Sequence, residues 1–270
     1  MKKETKKNTK AKKIVILITI LIIILLTLVL IKKLFMEKTF KIDSRIENAE
    51  KYQSEHKDLK VAGWIKVEGT NIDYPVLEDA DKIEYEEDGK IQYVWENGQM
   101  EKLHKINYIM GHNVMNLSSN PLITDKNHKR FEQLMSFTYY DFIKEHKYIQ
   151  FTINGKDYIF KIFAVSYPLS YETSSYNGDI YDKNDTKEYL EEISKKNIYN
   201  FDIDINEKDT ILSLITCTRM FGTSDKRSFK VDARLLRDGE STKNYNVSKS
   251  SKYKEVEEKM KGVNEKNEEV

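Results

Sequence analysis

Apolar residues follow three rhythms along this chain. Residues 14–31, IVILITILIIILLTLVLI, hold neither a charge nor a glycine. As a helix rising about 1.5 Å per residue, they would span roughly 27 Å, close to a hydrocarbon core. In residues 35–60 helical spacing takes over, through Phe40, Ile46, Ala49 and Leu59, with Asp43-Ser44 able to cap a start. That predicts an amphipathic arm, with a solvated spacer as the alternative. From residue 61 the rhythm shortens to two. VAGWIKVEGTNIDYPVL alternates apolar and polar positions around Gly69-Thr70-Asn71, predicting two short strands. Pro75 places the second at an edge, or delays its start.

Further along, residues 79–105 are highly charged. Asp88-Gly89 and Asn97-Gly98 are turn dipeptides, and Tyr93-Val94-Trp95 reads as a strand between them. Residues 106–110 form an apolar strand that runs into Gly111-His112-Asn113. Residues 131–146 have helical spacing, read as two short helices. Residues 148–165 read as a hairpin turning at Asn154-Gly155. Residues 182–197 predict a helix, capped by Asp185 or Thr186, with Tyr189, Leu190 and Ile193 on one face. Residues 210–216 and 229–236 are the last strong strands. After Arg237 the polar, mixed-charge residues read as disordered. Many strands and few helices point to a β-barrel or curled sheet, not to a βαβ layout.

These boundaries divide the chain into a basic tail (1–13), a transmembrane signal-anchor (14–31), a helical arm (32–60), a single domain (61–237) and a polar tail (238–270). The exit from the apolar run, Leu34-Phe35-Met36-Glu37, lacks the small residues of a signal-peptide cleavage site, which favours an uncleaved anchor. Seven lysines precede the span and two follow it. By the positive-inside rule the N-terminus is cytoplasmic and the domain faces outward. Net charge changes that picture little. The whole chain is +1, but residues 1–33 carry nine lysines and one glutamate, so the remainder is acidic. An acidic domain lacks the basic face that nucleic acid requires.

Cys217 is the only cysteine. No internal disulfide can form, and an unpaired thiol outside the cell is open to oxidation. It ends an apolar run, ILSLITC, and Arg227 follows ten residues later at the start of the next strand. A thiol at a strand end beside a cation suits a cysteine nucleophile, while a lone cysteine can also be a small buried hydrophobe. Of the five histidines, His56, His104, His128 and His146 lie in charged, loop or helical contexts and read as solvated. His112 directly follows a strand and a glycine, which directs its imidazole from a rigid support. A metal centre is disfavoured, because CxxC, HxxxH and HExxH spacings are all absent. No phosphate loop or dinucleotide fingerprint occurs, and no cofactor is expected.

Taken together, VAGWIKVEGTNIDYPVL, YIMGHNV, SLITC and Arg227 resemble the sortases, membrane-anchored cysteine transpeptidases of Gram-positive bacteria, and are most similar to class B. SLITC is similar to the family's TLxTC motif, with Ser213 where threonine is usual. The helix at 182–197, just before the cysteine strand, is similar to the helix that marks class B. Residues 79–105 depart from the family, lacking its usual strand before the histidine motif.

The resemblance implies a closed β-barrel of about eight strands with peripheral helices. It implies that Cys217 attacks a threonine carbonyl in an NPxTx- or SPxTG-type sorting signal, that His112 is general acid and then base, and that Arg227 holds the oxyanion or positions the peptide. Implied partners are surface proteins bearing that signal and an amine acceptor on peptidoglycan precursor or pilin, with the membrane reached through residues 14–31. Two other readings share these motifs: a cysteine peptidase that releases its thioester to water, and a non-catalytic scaffold on the same fold.

Overall fold

A computed structural model describes residues 15–27, 39–77, 92–95, 103–113, 131–169, 183–222 and 226–267. Residues 1–39 and 40–270 form separate units. In the first, residues 15–27 are helical with exposed apolar side chains. The rest of the expected 14–31 span lies outside the described residues. Among the described residues no helix is long and apolar enough to cross a membrane.

The second unit is mainly β. Its strands are β1 (Val61–Val67), β2 (Asp73–Leu77), β3 (Gln92–Trp95), β4 (Ile106–Met110), β5 (Tyr148–Ile153), β6 (Lys156–Ser166), β7 (Tyr199–Phe201), β8 (Ile211–Thr218), β9 (Arg227–Leu235) and β10 (Val247–Lys249). Its helices are α1 (Ile46–Glu55), α2 (Tyr140–Glu145), α3 (Lys183–Lys196) and α4 (Tyr253–Asn267), with a 3-10 helix at Glu132–Thr138. The curled main sheet has the order β1-β2-β3-β4-β8-β9-β6-β5, and β5 pairs again with β1. Two seams are parallel, β2–β3 and β4–β8. The first is short, only Val76–Gln92 and Leu77–Tyr93. Pro75 sits just before that seam, where its missing N–H costs the ladder nothing. β3 occupies the place between β2 and β4 where the sequence departs from the sortase pattern.

Strand alternation divides the apolar residues into two cores. In β8, Leu212 and Leu214 join Ile65, Ile109, Phe151, Phe160 and Val231 on the inner face, which the 3-10 residues Leu134, Met135 and Phe137 also fill. Ile211 and Ile215 point to the outer face, packing with Ile106, Tyr108 and the α3 residues Tyr189 and Ile193. Burial on both faces is why β8 reads as a nearly continuous apolar run. The β5–β6 hairpin turns at Asn154 (φ 49°) and Gly155 (φ 65°), the left-handed pair of a type I′ turn.

Four expectations are corrected. The helical arm is shorter than 32–60: residues 41–45 are not helical, because Arg45 is held by Asp73 at 2.7 Å and the Asp43 N–H donates to Gln150. The α3 cap is not at Asp185 or Thr186, since the helix already includes both and Thr186 is fully buried. The tail from 238 is not disordered through its described residues, which reach 267. It forms a strap in which β10 pairs with β7, and Tyr253 and Val256 of α4 enter the inner core. Average polarity concealed these sparse anchors: one side of the strap packs and the other meets water. His146, read as solvated, instead packs on the Phe142 ring at 4.6 Å.

Candidate active site

Cys217 is the penultimate residue of β8, opposite Ser228 of β9, and is exposed. By alternation it belongs to the outer face with Ile211, Ser213 and Ile215, just past the part of the strand that α3 covers. Although the residue is exposed, desolvation pushes its thiol above the ordinary value, and the Arg219 charge opposes that rise. Arg219, two residues along the chain, is thus a cation that favours the thiolate, beside the Arg227 that the spacing suggests.

His112 follows β4 on the strand parallel to β8. The regular ladder ends at Met110–Ile215, and the seam then continues by other means. The Gly111 N–H donates to the Ile215 carbonyl at 3.1 Å. The Thr216 hydroxyl donates to the Gly111 carbonyl at 2.7 Å. The Asn113 amide Nδ2 donates to the Cys217 carbonyl at 2.9 Å. On the far side the Phe131 N–H donates to the His112 carbonyl at 3.2 Å, from a fully buried aromatic anchor. The structure thus brings the half-buried His112 and the exposed Cys217 to the ends of neighbouring strands.

Arg227 is the first residue of β9, opposite Thr218, one position beyond Cys217. Alternation groups it with Phe229 and Val231, so Arg227 and Cys217 can meet only over the rim where both strands end. Its guanidinium lies 4.2 Å above the Phe221 ring. Phe221 packs edge-on against Tyr167 at 5.1 Å, and the Tyr167 and Thr138 hydroxyls are hydrogen-bonded at 2.6 Å. This shelf joins Arg227 to the inner core.

Behind the cysteine, Ser213 Oγ donates to Asp232 Oδ1, which also accepts from the Tyr189 hydroxyl at 3.0 Å. Lys230 Nζ lies 3.1 Å from the same carboxylate and donates to the Tyr189 hydroxyl at 2.8 Å. The network docks α3 on β8 and β9. Ser213 does this with a hydroxyl, the group it shares with threonine. No cluster of three His, Cys, Asp or Glu suited to a metal occurs among the described residues.

Arg219, Phe221 and the positioning contacts of Asn113 were not singled out from sequence. Arg219 is one of several arginines near the cysteine, and nothing in the spacing ranks them. Asn113 stands beside His112, but its partner lies on another strand.

A curled β-sheet with a thiol and an imidazole on adjoining strand ends, and an arginine on the next strand, defines a cysteine-centred β-sheet protein. The Sortase domain family model matches residues 65–236, and the chain belongs to that family. It is 25% identical over 174 residues to sortase B of Staphylococcus aureus, covering 62% of this chain and 67% of that protein. It is 28% identical over 181 residues to sortase B of Listeria monocytogenes, covering 61% and 65%, so the match spans slightly less than two thirds of that relative. The structure of Clostridium perfringens sortase B superposes with a TM-score of 0.57 at 25% identity, covering 70% of this chain and 99% of that one.

Proposed function

We propose that this protein is a class B-like cysteine transpeptidase. It cleaves a sorting signal of the NPxTx or SPxTG kind after threonine and transfers the acyl group to an amine of peptidoglycan precursor or pilin. The observation that supports this best is the seam that holds the His112 loop against the Cys217 strand. Similar folds include a Staphylococcus aureus sortase B–substrate complex and a sortase B complexed with triglycine, which suit a peptide donor and an amine acceptor.

In this reading Cys217 attacks the threonine carbonyl as its proton passes to His112. A thiol pushed above its ordinary value is mostly protonated at neutral pH, so transfer to the imidazole accompanies attack. Arg227 reaches over the rim to donate to the oxyanion, a task suited to a fixed, permanently charged fork. Collapse breaks the C–N bond, and His112 returns its proton to the leaving amine. The thioester remains on Cys217. An incoming amine attacks it, gives a proton to His112, and releases the thiolate. Residues 14–31 anchor the chain with the N-terminus in the cytoplasm and the sheet domain outside.

The test is incubation of the full chain in detergent with NPxTx and SPxTG peptides, with and without an oligoglycine or diaminopimelate-type amine, followed by mass spectrometry. An amine-joined product cut after threonine, absent with Cys217→Ala, is expected. Cleavage to the free acid alone in the presence of amine would make the protein a peptidase. No reaction from folded protein across the library would favour the scaffold reading. For the orientation, labelling of Cys217 in intact cells by an impermeant thiol reagent is expected, and labelling only after lysis would reverse it.

A further inference from the structure

We propose that Asn113 and Thr216 are positioning residues that set His112 against Cys217 by gripping the two strand ends reciprocally. The residue after the histidine holds the carbonyl of the cysteine itself, through Asn113 Nδ2 at 2.9 Å. The residue before the cysteine holds the carbonyl of the residue before the histidine, through Thr216 Oγ1 at 2.7 Å.

Backbone pairing alone would not fix this loop. The β4–β8 ladder ends at Met110–Ile215, and the Gly111 N–H bond to the Ile215 carbonyl extends it by one main-chain link. His112 lies just beyond that link. The two side chains carry the seam past the point where the ladder stops. Both residues are nearly sealed from solvent, Asn113 at 4% and Thr216 at 2% exposure, so water competes weakly for their bonds. Each ties a neighbour of one reacting residue to the other's strand. The Phe131 N–H bond to the His112 carbonyl closes the loop from the opposite side. With both flanks of the imidazole tethered, its distance and direction to the thiol are set before substrate arrives. A misplacement of about 1 Å at such a centre costs on the order of a hundredfold in rate.

This inference rests on the proposed thiol–imidazole chemistry, and its test has one arm that needs no peptide. In the full chain, the rate of Cys217 alkylation by iodoacetamide is measured against pH for native protein, His112→Ala, Asn113→Ala, Thr216→Val and Thr216→Ser. Thr216→Val keeps the shape and loses the hydroxyl; Thr216→Ser keeps the hydroxyl. The expected result is that Asn113→Ala and Thr216→Val move onto the His112→Ala profile, while Thr216→Ser stays with native protein. With a peptide that the native protein cleaves, the same two variants are expected to lose about tenfold or more in kcat with KM within about twofold. A cooperative thermal transition checks folding, and because the substitutions lie at opposite ends of the grip, either folded variant decides. Native profile and native kcat in a folded variant would overturn the proposal. So would coincidence of the native and His112→Ala profiles. If no peptide is cleaved but the alkylation profiles separate as expected, the positioning stands and only the transpeptidase reading falls.

Discussion

Arg219 is a charge that bears on Cys217. Desolvation raises the thiol, and the guanidinium two residues away restrains that rise. Removing a cation disfavours the thiolate further, so Arg219→Gln should raise the thiol pKa and slow alkylation at neutral pH. The expected change is about two- to fivefold, the size of a partly screened charge effect. Rates with iodoacetamide at pH 7.5 and pH 10 check it: the variant should lag at the lower pH and converge with native protein at the higher. An unchanged rate at pH 7.5 would mean that solvent screens Arg219 completely. Arg227 acts differently. It opposes Thr218 on β9, and the Phe221–Tyr167–Thr138 shelf steadies its guanidinium.

Elements are joined around the site by polar links as well as apolar packing. α3 is docked through Tyr189, Ser213, Asp232 and Lys230 onto β8, whose penultimate residue is Cys217, and β9, which begins at Arg227. The strap is fastened to β9 and β6 through Glu240, which pairs with Arg234 at 2.6 Å and Lys161 at 2.7 Å. Hydrogen bonding from Arg234 is the main reason that the Glu240 carboxyl falls to about 2; burial opposes it and Lys161 assists. The folded state therefore binds this proton less tightly than the unfolded chain. Its stabilisation, on the order of 3 kcal/mol at most, is complete above the ordinary value of 4.5 and is lost as pH falls toward 2. Glu240→Gln should lower stability at pH 7 and make it less sensitive to acid across that window. Urea unfolding at pH 7, 4.5 and 3 reads this directly, and parallel stability curves for the two proteins would refute the assignment.

At the scale of the whole sheet unit, the strap binds distant parts of the chain together. The Phe40 N–H donates to Thr242 at 3.0 Å, and the Tyr148 hydroxyl donates to Lys243 at 2.6 Å. The Tyr245 hydroxyl donates to the carbonyls of Lys147 and Ile162, and β10 covers β7. Tyr253 stacks near Tyr199 with centroids 5.3 Å apart. Ending the chain at Ser241 would uncover Tyr199 and leave those carbonyls without their Tyr245 bond. Several kcal/mol should be lost, lowering the Tm by about 10 °C or more for a domain of this size. Circular dichroism melting of the full and shortened chains measures it; a change under about 2 °C would show that the strap is dispensable to the fold.

The elements set by local rhythm were legible in the sequence: β1 and β2 around Gly69, the I′ hairpin at Asn154-Gly155, α3, and the run that becomes β8. So were the candidates His112, Cys217 and Arg227, because a glycine after a strand, a lone thiol and a cation at the next strand's start are local signals. What residues 238–267 do was not legible. Their anchors are few and widely spaced, and their partners lie on β5, β6 and β7, so composition alone averages them into a polar tail. Residues 79–105 gave only the short strand that became β3. The partner of Asn113 and the Phe221 shelf under Arg227 were decided by tertiary structure alone. Each depends on which strands lie side by side and in what register, and parallel pairing of β4 with β8 joins residues about a hundred positions apart. Short-range periodicity determines which residues face a core; long-range register determines which of them meet.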